Sequence, residues 1–153
     1  SSPVRRATGI SCGVLAIGLA VAGCGDTTIE SGDSAADLPY DEAMAGICVR
    51  TGARLADLPE PPDEISVTDF ATEVAWILAD EADSTRGLDA PDELDDDHRA
   101  FVANTDEQAA GWTVVAQIDE DAIGDEMTRI AELTLGRDDL AAEMGIPECR
   151  RGT

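Results

Sequence analysis

The chain of 153 residues has no lysine, one histidine, one tyrosine, two tryptophans and two phenylalanines. Its ten basic residues are all arginine and face 33 Asp and Glu, for a net charge of −23. Such a field repels nucleic acid and anionic lipid head groups, which disfavours DNA and RNA as partners. With 3% aromatic residues, the core must be built from Ala, Val, Ile and Leu, and platforms for stacking sugars are scarce. Carboxylate pairs of the glycosidase kind carry no weight among so many acids. No glycine-rich phosphate loop or Walker motif is present. The missing lysine fits a salt-adapted source, where salt screens the self-repulsion of the acids. It fits a GC-rich genome equally well.

The length leaves room for one domain and some targeting apparatus. Arg5 and Arg6 precede an apolar run from Ile10 to Gly23, interrupted by Gly13 and Gly18. That run is short of the ~20 apolar residues a spanning helix needs. A positive n-region and a short apolar h-region predict a signal peptide over residues 1–23. The pair Arg5-Arg6 lacks the remainder of a twin-arginine signal, so general secretion is expected.

The end of this run is more specific. Val21-Ala22-Gly23-Cys24 resembles the lipobox of bacterial lipoproteins: an aliphatic residue, two small ones and a cysteine. The resemblance implies that the Cys24 thiol receives a diacylglyceryl group and that a peptidase cleaves before it. Small residues at 22 and 23 let the extended chain enter that peptidase. It also implies attachment to the extracytoplasmic face of the cell membrane through lipid. No cofactor is expected beyond that modification. An ordinary secretory peptide with an incidental cysteine is the alternative.

Residues 24–39 are small, polar and acidic without periodicity, and predict a lipidated N-terminus with a flexible linker. A coil of that length reaches about 20 Å, and charge repulsion extends it.

From residue 40 to 150 the pattern is helical. Met44, Ile47, Cys48, Leu55 and Leu58 lie near one face, and Pro59, Pro61 and Pro62 end the element. Ser66 and Asp69 have the spacing of a capping box, followed by Phe70, Val74, Ile77 and Leu78 at helical steps. Gly87 is the expected stop. Pro91, Asp92 and Glu93 suit a first turn, with a stripe of Leu94, His98, Phe101, Val102, Thr105, Ala109 and Trp112 that could extend to Ile118. Ile123, Met127, Ile130, Leu133 and Thr134 predict a fourth helix, with a bend expected near Gly136. Gly145-Ile146-Pro147 is a strong stop. The reading is an all-α, four-helix bundle-like domain. "WTVVAQI", from Trp112 to Ile118, is the one strand-like stretch and ranks second to a helix end.

Removal of Cys12 with the leader and acylation of Cys24 leave Cys48 and Cys149. Export permits oxidation, so the two are natural disulfide partners closing the domain. Two free buried thiols are the alternative, and metal ligation by the pair is disfavoured. The first-helix cysteine, "LPEPPDE" at 58–64, "LDAPDEL" at 88–94 and "AEMGIPEC" at 142–149 together resemble small exported helical lipoproteins of actinobacteria. That resemblance implies a fold without an activity.

The catalytic inventory is thin. His98 with Asp95 three residues back could be a base and its orienting carboxylate, or an ordinary ion pair that raises the histidine pKa. Asp119, Asp121 and Gly124 start like an EF-hand loop, but Ile123 and Ile130 occupy positions that need oxygen ligands. A weak Ca²⁺ or Mg²⁺ site at Asp119, Asp121 and Asp125 is what remains of it, against a solvated capping turn. Trp76 and Trp112 are expected in the core or half-buried. The functional expectation is a lipid-anchored binding or structural module with an unidentified protein partner at the cell surface. The alternatives are a hydrolase centred on His98 and a low-affinity divalent-cation binder.

Overall fold

The computed structural model describes residues 38–152. The signal peptide, the lipobox Val21-Ala22-Gly23, Cys24 and most of the linker lie outside the described residues. Within them the fold is all-helical, as the periodicity predicts: α1 Tyr40–Ala56, α2 Val67–Arg86, α3 Asp95–Val115 and α4 Ile123–Glu143. Short 3-10 turns at Asp92–Leu94, Glu120–Ala122 and Pro147–Cys149 enter α3, enter α4 and follow α4. No helix among the described residues is long and apolar enough to cross a membrane.

Local chemistry sets the ends. Asp41 and Glu42 occupy the first turn of α1 and Arg54 its last, each matched to the sign of the helix dipole. At α2 the N-cap half of the expected capping box forms: the Asp69 backbone N–H donates to Ser66 Oγ at 3.0 Å, while the Ser66 hydroxyl, rather than its backbone N–H, donates to Asp69 Oδ2 at 2.7 Å. Alanine at a serine cap typically costs about 1 kcal/mol. Gly145 ends α4 with φ +72, a left-handed conformation that glycine adopts without penalty. Its N–H donates to the Ala142 carbonyl, and the Ile146 N–H donates to the Ala141 carbonyl. This is the Schellman pattern, and Ile146 folds back into the core beside Ala141 and Met144.

Three details depart from the sequence reading. Helix α3 ends at Val115, with residues to Ile118 completing a last turn by hydrogen bonds to Trp112 and Val114 carbonyls. Helix α4 runs unbroken through Gly136, where Asn104 on α3 donates its amide to the Leu133 carbonyl at 2.9 Å. Trp76, expected in the core or half-buried, and Met127, expected on the apolar face of α4, are 64% and 37% exposed. The Met127 difference traces to Gly111 on α3. A Cβ there would lie 2.8 Å from Ile130 Cγ1 and 2.9 Å from Glu126 Oε1. Glycine thus lets α3 and α4 approach with Ile130 and Glu126 in the seam, leaving Met127 outside. The stretch from Trp112 resolves as a helix end, not a strand.

The elements pack in sequence, α2 on α3 and α3 on α4, with α1 on α2. The 3-10 turn after α4 returns to α1. There the expected disulfide forms between Cys48 and Cys149, with Cα atoms 5.0 Å apart. Met44, Phe101, Ala141, Met144 and Ile146 surround it. Two further clusters line the seams of α2, α3 and α4, one centred on Ala71, Val115 and Ile130, the other on Val74, Leu78 and Ala109.

Candidate functional site

The sequence-predicted site residue His98 is buried at the start of α3. It is not oriented by Asp95. The Tyr40 hydroxyl, at the first residue of α1, lies 2.8 Å from His98 Nδ1, with the rings edge-on at 5.6 Å. Asp95 is engaged by Arg99 at 3.0 Å. The expected rise of the histidine pKa is therefore reversed: burial pushes it below its ordinary value, outweighing the upward pull of Asp95. Burial, with Asp97 adding to it, pushes the Tyr40 phenol up to about 12. At neutral pH the pair is uncharged.

A cavity of about 480 Å³ adjoins His98, with Leu88, Val102, Arg86 and Arg99 on its walls. Both arginines are already held. Arg86 pairs with Asp83 and Asp106, and Arg99 with Asp95 and Asp96. The carboxylates Asp89 and Asp95 complete the polar part of the lining, which holds no serine, threonine or cysteine.

The sign of the histidine shift makes a pH prediction. As pH falls below about 6.5, the unfolded chain takes up the proton first. Stability contributed by neutral His98 is present above that pH and is lost as pH falls towards the lower folded pKa. Urea titrations at several pH values should show the wild-type advantage over His98→Asn shrinking between pH 7 and pH 5. A constant difference would contradict a neutral buried imidazole.

The weak cation candidates are not assembled. Asp119, Asp121 and Asp125 are all exposed. Among the described residues, no three His, Cys, Asp or Glu side chains converge to hold a metal ion.

The densest polar chemistry is one that the sequence reading did not single out. Arg137 on α4 is fully buried, and all five of its N–H donors are used. Nη1 and Nη2 grip the Glu81 carboxylate at 3.1 and 2.9 Å. Nη1 also donates to Thr105 Oγ1 at 2.9 Å, Nε to the Cys149 carbonyl at 3.1 Å, and Nη2 approaches Cys48 Sγ at 3.7 Å. Phe101 lies under the guanidinium at 4.3 Å. Arg151 closes the cluster, donating through Nη2 to both Glu81 oxygens at 2.8 and 2.7 Å. Asp138 accepts from the backbone N–H groups of Arg151 and Gly152 at 2.7 and 2.8 Å. Burial and the neighbouring Arg137 lower the Arg151 pKa. The spacing does hold a signal for this cluster. Glu81 continues the Val74, Ile77, Leu78 stripe, and Arg137 continues Ile130, Leu133, Thr134. Linking α2, α3, α4 and the disulfide, the cluster is a structural knot rather than a reactive centre.

An outer groove between α2 and α3 is the second cavity, about 580 Å³. Its floor is alanine (Ala75, Ala79, Ala109 and Ala110), and Trp76 stands on its edge. One face of the indole is covered by the Arg54 guanidinium at 5.0 Å. No protein-family model, no curated protein and no solved structure matches this chain.

Proposed function

We propose that the protein is an extracytoplasmic lipoprotein, anchored by a diacylglyceryl group on Cys24, whose helical domain serves as a binding module at the membrane surface. The observation that carries the reading is Val21-Ala22-Gly23-Cys24 directly after an Arg-led apolar run and directly before a polar linker. Two acyl chains suffice for stable attachment where one would be marginal. A disulfide-closed domain suits an oxidising compartment. The linker would let the acidic domain stand clear of head groups that repel it.

The domain offers an open groove lined by Trp76 and alanines, and that groove supports a binding role. Replacing Cys24 by alanine in the full chain, followed by fractionation, tests the anchor. The wild type should sediment with membranes and Cys24→Ala should be released to the soluble or extracellular fraction. An unchanged distribution would contradict lipid anchoring.

A further inference from the structure

The groove between α2 and α3 is unusual for this surface. Trp76, at 64% exposure, stands beside the exposed Ala79 and Ala110 over the buried Ala75 and Ala109, whereas the other exposed large apolar residues, such as Val49 and Leu135, lie outside it. Exposed apolar patches rimmed by polar residues mark contact sites. The lining extends from Asp106 along α3 to Gln117 in the turn just beyond it, about 16 Å at the rise of an α-helix. That length matches three turns of another helix. Alanines on both walls let a third backbone approach closely, and Trp76 supplies the large anchor that such interfaces favour.

Charge selects the occupant. Asp106 is the only charged residue on the lining. Glu73 and Asp80 sit three before and four after Trp76, on the same helical face. The arginines at the margins, Arg54 with Asp80 and Arg86 with Asp83 and Asp106, offset part of this charge and leave the rim, with Glu73, net acidic. Residues 38–152 carry eight arginines against 29 carboxylates. A second copy of this chain would bring a like field to the same surface, and the linker, with Asp26, Glu30, Asp33 and Asp37, would do the same. A cationic partner is drawn in instead.

We infer that the α2–α3 groove, anchored by Trp76, docks a basic amphipathic helix of about three turns from a partner protein, apolar face inward and arginines or lysines towards the acidic surroundings. This rests on the binding-module reading but not on the anchor: the experiment uses the purified Cys24→Ala chain, whichever fraction it is recovered from, so its failure leaves the fractionation result untouched.

The probe is a synthetic 14-residue Leu/Arg peptide with leucines at helical spacing, titrated by calorimetry and by Trp76 fluorescence in a Trp112→Phe background. A scrambled peptide of the same composition is the comparison. Ala110 is exposed on the groove wall, so Ala110→Arg fills the groove and repels a cation without touching the core. The amphipathic peptide should bind, shift the Trp76 emission and weaken with salt. Ala110→Arg and Trp76→Ala should each weaken it by about tenfold or more, the loss expected of a central anchor. Equal binding of the scrambled peptide would overturn the proposal in favour of unspecific charge attraction. So would binding insensitive to Ala110→Arg, or no binding at millimolar peptide. A concentration-dependent dimer abolished by Ala110→Arg would overturn it in favour of a second copy.

Discussion

Replacing Glu81 by glutamine should cost the domain about 3–5 kcal/mol, the loss expected when a buried ion pair loses one partner. The carboxylate is shared by two guanidiniums, Arg137 and Arg151. Without its charge, two cations face each other, Arg137 fully buried on Phe101 and Arg151 only partly exposed. Domains of this size are stable by about 5–15 kcal/mol, so the variant should lose a large share of its stability. The pair is not thereby a net gain over apolar packing. A Glu81→Met/Arg137→Met/Arg151→Met triple variant, which also removes the second guanidinium on the shared carboxylate, should recover much of the loss, because buried charged groups replaced as a unit by hydrophobic residues are often near neutral. Urea unfolding followed by circular dichroism measures both. A single variant within about 1 kcal/mol of wild type would mean that Glu81 is not the shared counter-charge, since removing one leaves the buried partners uncompensated.

Loss of the disulfide should be comparable. Cys48 and Cys149 are 101 residues apart, and a cross-link closing a loop that long stabilises by about 4–5 kcal/mol in the chain-entropy model. The double Cys48→Ala/Cys149→Ala variant frees the 3-10 turn that carries Cys149 and, beyond it, Arg151. The thermal midpoint should fall by tens of degrees, at roughly 4–8 °C per kcal/mol in small domains. The two effects share Arg137, which donates to the Cys149 carbonyl and touches Cys48, so the combined variant should lose less than their sum. A midpoint unchanged by the alanines or by reductant would contradict a stabilising cross-link.

Much of the frame was legible because it is local. The Ser66 N-cap and the Gly145-Ile146-Pro147 stop depend on residues within one turn, and both form where the spacing puts them. The cysteine pairing followed from counting. What escaped was carried by contacts distant in sequence. His98 takes Tyr40, 58 residues away, in place of the nearby Asp95. Glu81 and Arg137 stand at helical steps on apolar stripes, but among 33 acids and ten arginines neither is distinctive until the other is seen beside it. Trp76 is the opposite lesson. Its neighbours Val74, Ala75, Ile77 and Leu78 are all buried, so their spacing already turned position 76 outward. Its size suggested the core; its position set it on the surface.

The same limit holds for the anchor, which rests on four residues and their flanks. Mass spectrometry of the mature N-terminal peptide, isolated from membranes of cells expressing the full chain, tests it most directly. The account predicts a peptide beginning at Cys24 and carrying a diacylglyceryl group. An unmodified Cys24 inside a longer peptide, or an unlipidated terminus elsewhere, would contradict it.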